Sequence, residues 1–278
     1  MKRLCLFTLI LAALMLACNI PGQETPAPGT DLPSVPSETP DLPETPTVTE
    51  TPTIAVNTTC NEISFFLDPA LASGSTCETI PAANGEDPWA VYPQHTRINF
   101  QGYVLGERFH NPMITVFPLP AYLALTPGLS TSVAALQALL AGGTPGSSAL
   151  PLLGLVGAAQ EFHAQYQVVA FTGGSGIRYL TQYAQYYAPI NNHDMFYTFQ
   201  GLTGDGQYWI SIILPISNPI LPGYPDPIPG GVSPEEFGNN FDSYIADIVN
   251  QLNAQPAASF MPSLALLDAL VQSITIHA

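Results

Sequence analysis

Residues 161–188 read EFHAQYQVVAFTGGSGIRYLTQYAQYYA, two long segments of alternating polar and apolar side chains on either side of Gly173-Gly174-Ser175-Gly176. Alternation of this kind, interrupted by a glycine cluster, predicts an antiparallel hairpin. With the four-residue turn setting the register, Phe162, Ala164, Tyr166, Val168, Tyr179 and Tyr183 share one face. His163, Gln165, Gln167, Arg178, Gln182 and Tyr186 then share the other, and a slip of one residue would exchange the two. A second hairpin follows, residues 195–202 and 207–216 around Gly204-Asp205-Gly206, whose Asp-Gly pair suits positive φ. Four consecutive antiparallel strands are expected here, which decides for a β-rich domain.

Outward from this region the signals alternate between strand and helix. Residues 95–105 alternate Arg97, Asn99 and Gln101 with Ile98 and Phe100, and residues 113–117 form a further strand candidate ended by Pro118 and Pro120. Ser130 or Thr131 can open a helix to Ala141 with Val133, Leu136, Leu139 and Leu140 on one side, stopped by Gly142-Gly143. Residues 150–156 are apolar enough to be buried. Residues 60–90 read as a loop-rich cap, with an apolar run at 63–67 and turns at Asp68-Pro69 and Asn84-Gly85. Residues 215–231 are too rich in proline and glycine for a regular element. Ser233-Pro234-Glu235-Glu236 then combines an N-cap, a proline at the first helical position and a glutamate three residues past the cap. Phe237, Phe241, Tyr244, Ile245, Ile248, Val249 and Leu252 follow at helical spacing. A shorter helix over 264–271 runs into a strand at 273–276. The expected fold class is α+β, a mainly antiparallel sheet with amphipathic helices packed on it, α/β/α sandwich-like.

Charge narrows the function. Five lysines and arginines stand against 21 aspartates and glutamates, and past Arg3 the only cations are Arg97, Arg108 and Arg178. Without a basic patch to neutralise phosphates, nucleic-acid binding is excluded, as is electrostatic docking on anionic head groups.

The N-terminus carries an address. Lys2 and Arg3 precede an apolar stretch over residues 4–16, too short for a membrane span, which ends Met15-Leu16-Ala17-Cys18. This ending resembles the lipobox of bacterial lipoproteins, with Met15 in place of the usual leucine. The resemblance implies that residues 1–17 are a signal peptide and that Cys18 is acylated and becomes the mature N-terminus. It further implies anchorage to the cell membrane or outer membrane through the N-terminal lipid, with the domain on the extracytoplasmic side.

Residues 18–57 are expected to be a disordered tether. From Pro21 to Thr53 the chain holds no aromatic and no basic residue and is dense in Pro, Thr, Glu, Ser and Asp, too little apolar surface to offset chain entropy. In polyproline II form about 35 residues would span on the order of 100 Å. Residues 58–278 are left as one α+β domain holding only Cys60 and Cys77, for which an exported compartment predicts a disulfide. A two-cysteine metal site would need two more ligands, and no histidine stands at a finger-like spacing.

The order of antiparallel strands, long amphipathic helix and LLDALVQSITI ending (residues 266–276) is similar to Mog1/PsbP-like sandwich proteins. That resemblance covers about the last hundred residues and implies a binding or assembly module and not an enzyme.

Candidate chemistry is sparse. Gly173-Gly174-Ser175-Gly176-Ile177 lacks the last glycine of a nucleophile elbow and lies between two strands. In Asn191-Asn192-His193-Asp194 an Asx-turn accounts for the polar residues, and adjacent side chains on an extended chain point apart. Of the non-helical acids, Asp87, Glu107, Glu161 and Asp226, none has a recognisable catalytic context. No cofactor or metal site is read, including from His163 with Asp194 and Glu161. The expected function is non-catalytic binding of an envelope glycan or protein on the face carrying His163, Gln165, Gln167, Arg178, Gln182 and Tyr186, because amide and aromatic side chains suit sugar or peptide. The alternative is a cell-envelope hydrolase using His163 or His193 with a carboxylate.

Overall fold

The computed structural model describes residues 56–85, 91–154 and 157–277. The signal segment, Cys18 and nearly all of the expected tether lie outside them.

The elements run β1 (Val56–Cys60), β2 (Ile63–Leu67), β3 (Gly74–Ile80), β4 (Ala83–Asn84), β5 (Val91–Tyr92), β6 (His95–Gln101), β7 (Met113–Pro118), α1 (Leu119–Leu125) and α2 (Leu129–Leu140). They continue β8 (Ala159–Gln160), β9 (Ala164–Phe171), β10 (Gly174–Thr181), β11 (Tyr183–Ala184), β12 (Phe196–Thr203), β13 (Tyr208–Pro215), α3 (Pro234–Asn239), α4 (Phe241–Asn253), α5 (Leu264–Gln272) and β14 (Thr275–Ile276). Seven strands make one antiparallel sheet in the order β3-β6-β7-β13-β12-β10-β9, and β1-β2-β14 make a smaller one. The fold is α+β and mainly sheet.

Both faces of the large sheet are covered, which follows from strands that are apolar on both sides. Tyr197, Phe199, Ile210, Ile212 and Leu214 point to one face, where they pack with Leu252 of α4 and Leu264, Leu267 and Leu270 of α5. Ile177, Tyr179, Leu202 and Trp209 point to the other, against Leu136 and Leu139 of α2. A polar strut crosses this second core. Gln200 Oε1 accepts from Trp209 Nε1 at 2.8 Å and from the backbone of Leu153 at 3.0 Å, which ties the 150–154 segment to the sheet.

The structure departs from expectation in three places. The region expected as a loop-rich cap is strand: β1 and β2 pair as a hairpin and β3 forms an edge of the large sheet. Cys60 and Cys77 are bonded, so the disulfide joins the small sheet to the large one. Past Pro118 the chain turns directly into α1, with proline in its first turn, where the missing N–H costs nothing. The helix expected as continuous from Ser233 is broken at Asn240 (φ −108°, ψ 9°). Ser233 does cap α3, its hydroxyl accepting from Glu236 N at 3.2 Å. Gly238-Asn239-Asn240, all weak helix formers, allow the break.

The hairpin over 164–181 has a two-residue loop, Thr172-Gly173, and a bulge. Phe171 pairs with Gly174 and Gln167 with Arg178, but Ala164 pairs with Leu180, and Gln165 takes φ +53°. One extra residue on β9 reverses the faces for everything before it. Phe162 and Ala164 therefore join the core beneath α4 and α5, while Tyr166 stays with Tyr179 on the α2 side.

Candidate binding cleft

The open polar face expected on this hairpin is largely closed, because α4 and α5 pack over it, and only the edge strand β9 keeps Gln167 exposed. Arg178 is buried and its Nε lies 3.3 Å from Asp268 Oδ1 of α5. Its two terminal nitrogens donate to Gln165 O and to Gln167 Oε1. Gln165 Nε2 donates to Leu252 O at 2.8 Å and Gln255 O at 3.0 Å, closing the C-terminal end of α4. Gln182 is fully buried and its Oε1 accepts from Asn191 N at 3.1 Å. His163 is half-buried, and burial lowers its pKa. Of the six residues only Tyr186 lines a depression.

That depression lies at the end of the hairpin. The short ladder between β8 and β11 pairs Gln160 with Tyr183 and Ala159 with Ala184. It is prolonged by Glu161 N donating to Gln182 O at 2.9 Å, which fixes Glu161 beside β11. The chain leaves β11 as Gln185-Tyr186-Tyr187, and Gln185 Nε2 donates to Gly157 O at 2.8 Å. Two adjoining hollows result, about 710 Å³ and 450 Å³, which share Gly157, Ala158, Ala184, Gln185 and Tyr186. Glu161 and Tyr187 complete the first; Phe109, His110, Tyr183, Ala188 and Asp194 complete the second.

Asp194 is aimed by a turn. Asn191 Oδ1 accepts from the backbones of His193 and Asp194, both at 3.0 Å, and Asn191 Nδ2 donates to Asp194 Oδ2 at 2.9 Å. The Asx-turn is therefore made by Asn191, and its curvature overturns the expectation that neighbouring side chains diverge. His193 Nδ1 meets Asp194 Oδ1 at 2.6 Å. The His193 ring lies 5.1 Å from Tyr224 and 6.3 Å from Phe109, and Phe109 N donates to His193 O at 3.0 Å. His110 packs its ring 4.4 Å from Phe196, and its Nε2 is buried without a partner. Burial lowers the His110 pKa to about 4, against the pull of Asp194, so this imidazole is neutral at pH 7. Burial likewise raises the Glu161 carboxyl to about 7.

At the hollows Phe109, Tyr186 and Tyr187 are 66, 65 and 62% exposed, and Tyr224, 56% exposed, lies outside them beside His193. Among the described residues no three His, Cys, Asp or Glu side chains converge as metal ligands. Glu161 and Asp194 line adjoining hollows, and His163 lines neither. Phe109, His110, Gln185, Tyr187 and Tyr224 were not singled out from the sequence. The run Gln185-Tyr186-Tyr187, an amide followed by two tyrosines just past a strand, was the one signal that could have pointed there. Comparison of the chain with protein-family models, with curated proteins and with solved structures finds no match.

Proposed function

We propose that this chain is a lipid-anchored, extracytoplasmic binding protein that presents the aromatic cleft to a glycan of the cell envelope. The single observation that carries the reading is that the exposed rings of Tyr186, Tyr187 and Phe109 line two adjoining hollows. A pyranose offers apolar C–H faces to stack on such rings and hydroxyls for Gln185 and the carboxylates. The lipobox-like Cys18 and the Pro/Thr tether support the location, because a long acidic spacer holds a domain away from a membrane. Helices on both sides of an antiparallel sheet accord with the sandwich expected of a binding module.

The test is calorimetric titration of the full chain with oligosaccharides released from envelope glycans, alongside Tyr186→Ala. The Tyr186 ring is 65% exposed, so the variant keeps its fold and should lose about tenfold or more in affinity. Affinity unchanged in Tyr186→Ala, or no binding to any such oligosaccharide, would sink the reading.

The 2.6 Å His193–Asp194 pair favours a second reading, a hydrolase with His193 as base. As base, His193 would deprotonate a water that attacks the glycosidic carbon. Turnover of an envelope glycan abolished by His193→Ala would establish it, and absence of turnover by the parent chain would remove it.

A further inference from the structure

We propose that the cleft recognises an amino sugar through its free ammonium group, seated against the tyrosine rings and the Glu161 carboxylate. The proposal rests on the glycan reading above and specifies the unit that fills the site.

Three observations carry it. The first is the kind of acid present: both hollows that meet at Tyr186 hold one carboxylate each, Glu161 in the larger and Asp194 in the smaller. The second is that, among the described residues, Glu161 has no protein cation, whereas Asp194 already meets His193 Nδ1 at 2.6 Å and Asn191 Nδ2 at 2.9 Å. Arg178 is engaged by Asp268 on α5, and among the described residues no arginine forms an ion pair with Glu161 or Asp194. Arg108, the nearest arginine in sequence, turns its Nη1 onto the carbonyls of Gly106 and Glu107. The third is the wall material. Tyr183, Tyr186, Tyr187 and Phe109 present π faces and edges around these acids, and an ammonium held against aromatic rings gains cation–π attraction in addition to its ion pair.

His110 adds no positive charge, since burial keeps it neutral. Glu161, whose carboxyl is raised to about 7 by burial alone, is an acid that an incoming cation would return to its ionised form. The chain as a whole, at a formal charge of −16, draws cations toward the cleft and repels acidic saccharides. An N-acetylated sugar would stack equally well but would leave Glu161 without a cation.

The experiment is titration of the full chain at pH 7 and low salt with the glucosamine trisaccharide and, separately, with its fully N-acetylated counterpart. The amine form should bind about tenfold or more tightly than the acetylated form. Glu161→Gln, which keeps the shape of the side chain, should remove most of that preference by weakening the amine form far more than the acetylated one. Tyr186→Ala should weaken both sugars. Equal or tighter binding of the acetylated trimer overturns the ammonium inference and leaves the glycan reading standing; binding of neither trimer overturns the inference, and the envelope oligosaccharide titration then decides the reading itself. Amine binding that survives both Glu161→Gln and Tyr186→Ala places the ammonium elsewhere and overturns the assignment to this cleft.

Discussion

Arg178 enters the core as the partner of an acid on another element, which makes it a joint between hairpin and terminal helix. Asp268 Oδ1 lies 3.3 Å from the guanidinium and accepts from Tyr197 OH at 3.0 Å, so one carboxylate meets a buried cation and a buried hydroxyl. Burial raises the Asp268 pKa against the pull of Arg178. Removing one partner strands the other in a low-dielectric interior, so Arg178→Ala should cost about 3–5 kcal/mol in a urea titration. The paired change Arg178→Met with Asp268→Leu should recover most of that loss, and a paired variant as unstable as the single one would refute the joint. Two further residues give the molecule opposing pH responses. Glu161 is raised from 4.5 to about 7, so the folded state binds its proton more tightly than the unfolded chain. Its contribution is complete below about 4.5 and is lost as pH rises through about 7. His110 is lowered from 6.5 to about 4, so its contribution is complete above 6.5 and is lost as pH falls toward 4. Glu161→Gln should therefore melt like the parent at pH 4 and above it at pH 8. His110→Gln should resist acid better than the parent. A melting difference for either variant that does not change with pH would contradict the assignment.

At the scale of elements, two contacts decide how sheets and strands meet. The Cys60–Cys77 bond ties β1 to β3 across 17 residues of separation, and its loss as Cys60→Ser with Cys77→Ser should lower stability by about 3 kcal/mol, read from denaturant midpoints. Gly176 sits where β10 meets β12, beneath the Phe199 ring. A Cβ there would stand 2.4 Å from Phe199 Cζ and 2.5 Å from Gln200 O, one of them backbone that cannot retreat. Gly176→Ala should accordingly cost about 1–3 kcal/mol or force the strands apart. A variant with the parent's melting temperature would show that the strand spacing is softer than the packing implies. Legibility also differed by element. The β12–β13 hairpin follows from Gly204-Asp205-Gly206 because its turn is local chemistry, whereas the β9–β10 register does not. Thr172-Gly173 makes the loop, and the bulge at Gln165 exists because that side chain and backbone close the end of α4, some 87 residues away in sequence.

For the whole molecule, the anchor and the cleft are the two statements that matter. No helix among the described residues is long and apolar enough to cross a membrane, so the proposed attachment rests on Cys18. Mass spectrometry of the mature protein should find an acylated cysteine at its N-terminus, and a mature chain that still carries residues 1–17 would contradict it. Composition and local period by themselves determined the fold class, a mainly antiparallel domain with packed helices, and they carry the proposed leader and acidic tether. Those are properties of averages and of local period, which survive any error in register. Only the tertiary structure decided where function could reside. Helices on both sides of the sheet turned Arg178, Gln165 and Gln182 from surface groups into internal joints, and a turn built on Asn191 brought Asp194 beside His110. Side chains as far apart in sequence as Phe109 and Asp194 meet in the cleft because the hairpin's end lies beside two loops. No periodicity within one segment encodes that neighbourhood.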